Sequence, residues 1–284
     1  MAGSQPPTGL ARRSPRLSDQ ETERRMLRSA VDMVSTAGLT VSLDHISLEE
    51  LIRAAGVSRS TVYRRWPHKD LFFSDLVSEL ARSATPTILA EEVALIREVF
   101  AERDDWLDSA DQRQALVGEL FRRLSLLDFR TLSGSAQWRT YVALHATFMS
   151  LADDGLRRQV QAALAESERE HLTRVGIAWE HLTGLLGYRL RPELAATFAD
   201  LAALLDATMR GLVIMAQSMP ELGQRRIAGR SPAGTATADW SLPALGLAGI
   251  AVSFIEPDPA VDWDASRVAS VKRALLTLSP LAGR

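Results

Sequence analysis

The chain has 284 residues, a formal charge of −2 and no cysteine. Lack of cysteine excludes disulfides, thiolate catalysis and Cys-ligated zinc together. The charge balance excludes a surface coated in basic residues, but not a local basic face, because nucleic-acid binding follows where charge sits.

The length suits one large domain or two ordinary ones, and 46% hydrophobic residues suffice for a sizeable core. Arg12, Arg13 and Arg16 have no apolar run behind them, so no signal peptide is expected. The longest apolar stretch, Leu242 to Ile255, is too short and interrupted to span a bilayer. A cytoplasmic protein is expected.

In chain order, residues 1–17 are rich in Pro, Gly, Ser and Arg and predict a flexible arm. Ser18 and Glu21 have capping-box spacing, and Met26, Leu27, Ala30, Val31, Met33 and Val34 follow at helical spacing until Gly38. Ser47 and Glu50 repeat the box, opening a second helix with Leu48, Leu51, Ile52 and Ala55 on its buried face. Gly56 ends it. Ser58 caps a short third helix to about Arg65, and Pro67 stops it. A fourth helix opens at His68-Lys69-Asp70 and carries Leu71, Phe72, Leu76, Val77 and Leu80.

Further helices are predicted at 88–105, 111–128, 135–152, 155–187 and 191–218. Strand alternation is not evident, so the expected class is all-α, favoured by abundant Ala and Leu. Residues 223–239 predict a mobile loop, followed by short helices at 242–252 and 265–278. The expected organisation is the arm 1–17, a helix-turn-helix domain with linking helix at 18–82, a helical regulatory and dimerisation domain at 83–222, and a loop with helical extension at 223–284.

The second and third helices, joined at Gly56, have the spacing of a helix-turn-helix. Such a unit lays its second helix in the major groove of DNA. From Leu51 through Lys69 there is no carboxylate, while Arg59 on the first turn of the third helix has the reach for a guanine edge. Ser60 and Thr61 carry short hydroxyls that reach bases or phosphates, and Tyr63 and Arg64 lie one turn further along. Ser47 and Lys69 open the flanking helices, where free backbone N–H groups favour a phosphate. Val57, Val62 and Trp66 are the apolar positions expected to hold the third helix on its own domain.

The stretch SLEELIRAAGVSRSTVYRRWPHKDLFFSDL resembles the DNA-binding domain of TetR-type (tetracycline-repressor-like) transcriptional regulators. The resemblance lies in the turn Ala55-Gly56-Val57-Ser58 and in Thr61, Tyr63, Trp66, Lys69 and Leu71, within about 19–80. Trp66 stands where Phe is commoner in that family. The resemblance implies a homodimer on a palindromic operator, acting as a repressor and released by a small molecule. It assigns Arg59, Ser60, Tyr63 and Arg64 to bases, and Ser47, Thr61, Tyr63 and Lys69 to phosphates. His68, at a variable position, is added as a phosphate contact.

The resemblance also places a dimer interface on the helices at 155–187 and 191–218. Leu182, Leu185, Leu186, Leu194, Phe198, Leu201, Leu205, Met209, Leu212 and Ile214 supply their apolar surface; an intramolecular core would use the same residues. Trp106, Trp138, Tyr141, His145, Phe148 and Trp179 are candidates for an effector pocket. Aromatics at helical spacing equally suit a plain core, as does His145.

No cofactor, metal site or catalytic residue is expected. His171 and His181 point about 80° apart around a helix, a poor shared metal site, and no HExxH, P-loop, GxGxxG or GxSxG pattern occurs. The alternative reading is a helical adaptor whose short basic helix binds a protein partner.

Overall fold

The computed structural model describes residues 18–37, 47–83, 90–150, 154–234 and 237–277. The expected arm at 1–17 and the stop at Gly38 lie outside them. The chain divides into two compact units, Met1–Leu80 and Ala81–Arg284. The fold is all-α, with four short strands among the described residues. Among the described residues no helix is long and apolar enough to cross a membrane.

The first unit begins with α1 (Asp19–Ala37), α2 (Leu48–Ala55) and α3 (Arg59–Arg65), and its last helix, α4 (Lys69–Ser83), starts after Pro67. The Ser18 hydroxyl accepts the Glu21 amide at 3.1 Å, so the cap forms. The Glu21 carboxylate does not complete a box, because it is held by Arg24 and Arg25. Met26, Ala30 and Val34 of α1 meet Leu51 and Ile52 of α2, Val62 of α3, and Phe72 and Leu76 of α4 in one core. Trp66 is fully buried, edge-on to Phe72 with ring centres 5.1 Å apart. Its indole N–H donates to Asp75 at 2.8 Å, which satisfies the polar atom that burial would otherwise strand. Leu71 of α4 is 49% exposed.

The second unit contains α5 (Ala90–Glu102), α6 (Ala110–Gly134), α7 (Ala136–Ser150), α8 (Asp154–Leu185), α9 (Phe198–Ser218), the short α10 (Glu221–Gln224), α11 (Leu242–Phe254) and α12 (Ala265–Leu276). Helices α6, α9 and α11 pack on one another, and α8 packs along α9. Leu120, Leu201, Leu205, Val213, Ala244 and Ala248 are buried there. Helix α11 is apolar nearly all round, as a buried helix must be.

Two strand pairs correct the sequence reading. Strands β1 (Tyr188–Leu190) and β4 (Ile255–Pro257) pair antiparallel, with Arg189 opposite Glu256. That ion pair, at 2.8 Å, joins the 188–190 segment to the chain after α11. The predicted helix at 191–218 therefore begins only at Phe198, capped by Thr197 and Asp200 in a reciprocal box. The expected loop at 223–239 instead holds β2 (Arg226–Arg230), which pairs with β3 (Thr237–Ser241), Ile227 facing Trp240. Ser231, Ala233 and Gly234, just after β2, seat on α6. A side chain at Gly118 would collide with the Ser231 hydroxyl, so α6 keeps a bare backbone where the turn lands.

Candidate nucleic-acid interface and effector cavity

The α2–α3 corner is set by backbone chemistry. Gly56 has φ +64°, the left-handed geometry that ends a helix most cheaply with glycine. Ser58 then caps α3, its hydroxyl accepting the Thr61 amide at 3.2 Å. Val62 and Trp66 turn inward, which leaves Arg59, Ser60, Tyr63 and Arg64 on the outer side, all exposed. The four candidate base-reading residues thus share one face of one helix. Thr61 is half-buried and its hydroxyl lies 3.0 Å from that of Ser58. Ser47 caps α2 with its hydroxyl 3.4 Å from the Glu50 amide. His68 is exposed, and the Lys69 ammonium lies 4.7 Å from the Phe73 ring centre.

The acid-free stretch 51–69 is balanced from outside itself. Arg59 pairs with Glu49, and Arg64 with Asp19. The Tyr63 hydroxyl donates to Glu49 at 3.0 Å, which raises its pKa. Arg65 bonds Glu23 at 3.0 Å and Asp75 at 3.1 Å, and stacks over Trp66. The pairs at Arg59 and Arg64 are solvent-facing: the Arg59 side chain keeps 70% of its surface exposed. Exposed pairs of this kind contribute about 0–1 kcal/mol, so these cations exchange partners cheaply.

The second unit holds a cavity of about 700 Å³, partly open to solvent and walled mainly by α5, α6, α8 and α9. Trp138 and Trp179 line it. Trp179 stacks on Phe121 at 4.7 Å, and Trp138 on Tyr141 at 5.0 Å. Tyr141, His145 and Trp106 are not among the described lining residues. Tyr141 is buried behind the wall, its hydroxyl bonding Glu168 at 2.5 Å. His145 sits against Tyr141, 3.0 Å from its carbonyl. Trp106 lies on a 3-10 turn under Arg103. Phe148 belongs to α7, and its side chain falls outside the described residues.

Sequence reasoning missed the acidic side of this wall. Arg210 bonds Glu168 at 3.0 Å and Asp206 at 3.1 Å, and Asp206 also meets His171 at 2.6 Å. Burial works to lower the Arg210 pKa, but Tyr141, Asp206 and Glu168 outweigh it and raise it. Burial raises the Tyr141 pKa against the opposing charge of Arg210. Burial also pushes Asp128 well above the usual carboxylate range, and its neighbour Glu92 adds to the shift. Asp128, Asp206 and Arg210 belong to no sequence motif; the packing of α6 and α9 turns them toward the cavity.

No protein-family model matches the chain. It is 37% identical over 101 residues to an uncharacterized HTH-type transcriptional regulator of Mycobacterium bovis, a match covering 35% of this chain and 41% of that one. A regulator of Mycobacterium tuberculosis described in the same words is 36% identical over the same shares. The match thus spans about two fifths of these relatives' length. Among solved structures, reduced NemR of E. coli covers 84% of this chain and 99% of its own at 14% identity and a TM-score of 0.43. TylP, a TetR regulator from Streptomyces fradiae, covers 90% and 98% at 16% identity and a TM-score of 0.37.

Proposed function

We propose that the protein is a transcriptional repressor of the cytoplasm that binds a palindromic DNA operator as a homodimer and is released by a small molecule. One observation carries the reading: Arg59, Ser60, Tyr63 and Arg64 stand exposed on a single face of α3, whose other face is locked by Val62 and Trp66. A helix so presented fits a major groove. Arg59 and Arg64 match guanine edges, while Ser47, Thr61, Tyr63, His68 and Lys69 hold phosphates beside it.

Helix α9 supports the homodimer. Leu204, Ile214 and Met215 are each about half exposed, and Gly211 lies between them with open space over it. The charged residues of α9 are Asp200, Asp206 and Arg210, and the last two turn toward the cavity. A second copy of this face covers the strip by two-fold symmetry, as a palindrome requires. Of the interface residues expected from sequence, Leu182, Leu186, Leu201, Leu205 and Met209 are already buried within their own unit. Leu194 and Ile214 remain exposed for a partner.

The cavity of the second unit takes the effector, within the usual size range for small-molecule sites. Selection of bound sequences from random duplex DNA by the full chain tests the reading. Enrichment of two inverted half-sites about one helical turn or more apart is expected. Recovery of unenriched DNA removes the operator claim.

A further inference from the structure

The cavity carries more acid than base. Among its described lining residues, Glu92, Asp128 and Asp206 bring carboxyl groups, and Arg210 brings the permanent positive charge. Arg210 is already held by Glu168 and Asp206, so an anion entering the cavity meets a cation that has two partners. Asp206 is equally engaged, by Arg210 and His171. Asp128 differs. Its Oδ1 is buried without a hydrogen-bond partner among the described residues, and the group beside it is another carboxyl, that of Glu92. A buried acceptor in that condition wants a donor. Two carboxyl groups set side by side, one with a buried oxygen, do not both ionise readily unless a positive charge joins them. Trp138 and Trp179 supply what such a charge and its carrier need nearby, since indole faces attract cations and bury apolar bodies.

We propose that this cavity takes a protonated organic amine on an apolar or aromatic body, its N–H groups on Asp128 and Glu92 and its body against Trp138 and Trp179. The inference rests on the reading of the cavity as the effector site and assigns its ligand class. An amine supplies the donor that Asp128 Oδ1 lacks and the charge that lets both carboxyl groups ionise. A carboxylic acid of the same shape supplies neither.

Three probes with one aromatic body separate these cases: 2-naphthylmethylamine, 2-naphthylmethanol and 2-naphthylacetate, titrated calorimetrically into the full chain. The amine is expected to bind at least about tenfold more tightly than the alcohol, and the acid more weakly than either. Asp128→Asn keeps the shape of the side chain and removes its charge. It should lose about tenfold or more in amine affinity with little change for the alcohol. Glu92→Gln provides the same comparison should Asp128→Asn fail to fold. An acid that binds as tightly as the amine, an amine that does not bind, or variants that retain full amine affinity each overturn the proposal. Operator DNA then separates this claim from the one beneath it. An amine that binds through Asp128 but leaves DNA bound removes the effector role and keeps the ligand class. DNA release by a ligand indifferent to Asp128 and Glu92 does the reverse.

Discussion

The two units handle charge in opposite ways. On α3 every arginine has a carboxylate, yet the pairs of Arg59 with Glu49 and Arg64 with Asp19 lie in solvent. In the cavity the charges are half-buried, and Asp128 has an oxygen without any hydrogen-bond partner among the described residues. An exposed pair is worth little and re-forms with another anion at small cost. A buried unpaired acceptor costs about 1–3 kcal/mol until something satisfies it. The first arrangement suits a surface that trades partners, and the second a site that waits for one.

The largest effect should come from the scaffold beneath α3. Trp66→Ala removes a fully buried ring, its edge contact with Phe72 and its bond to Asp75. A loss of about 3–5 kcal/mol is expected in denaturant unfolding, together with loss of DNA binding. A mild effect would mean that α3 does not depend on this anchor.

Lys69→Ala probes the phosphate-facing surface beside α3. It should weaken binding to all duplex sequences alike and lower the salt slope by about one per subunit. A loss confined to one sequence would reassign Lys69 to base reading.

Asp128→Asn tests the cavity side without any ligand. Its carboxyl is pushed upward in the folded state by burial, Glu92 and Asp206, with Arg210, His171 and His181 also on the cavity wall. The folded state therefore holds a proton that the unfolded chain releases. Stability from this group is lost as pH rises from the ordinary carboxylate range through the raised folded value. Near neutral pH the asparagine variant should melt a few degrees higher, and the gap should close in acid. An unchanged or lowered melting temperature at neutral pH contradicts the buried-penalty reading.

The smallest effect concerns Glu49, which holds both Arg59 and Tyr63 in the free protein. Glu49→Gln removes a competitor of DNA. Operator affinity should rise several-fold at low salt, with stability nearly unchanged. A fall in affinity would mean that Glu49 positions Arg59 for the groove.

Much of the first unit is legible in sequence because local chemistry decides it. Ser47, Ser58 and Gly56 set the starts and stop of two short helices with their own side chains or backbone. The gap in carboxylates from Leu51 through Lys69 is equally visible, but not its remedy. Asp19, Glu23, Glu49 and Asp75 reach that stretch from three other helices. The cavity follows the same rule: Trp138 and Trp179 announce themselves as large aromatics, whereas Asp128 looks like any surface acid until α5, α6 and α9 enclose it. The β2–β3 hairpin escaped because its strands hold only five residues each and include Gly229. Its pairing depends on Trp240 finding Ile227 and on the bare backbone of Gly118 beneath the turn.

Base reading by α3 would fall first on Arg59, whose side chain is 70% exposed. Binding of wild type and Arg59→Ala to every single-base variant of the selected operator measures it directly. The variant should lose about 1–3 kcal/mol on the preferred site and become indifferent to one base pair in each half-site. A variant that binds more weakly yet keeps the same preference at every position contradicts direct reading by Arg59.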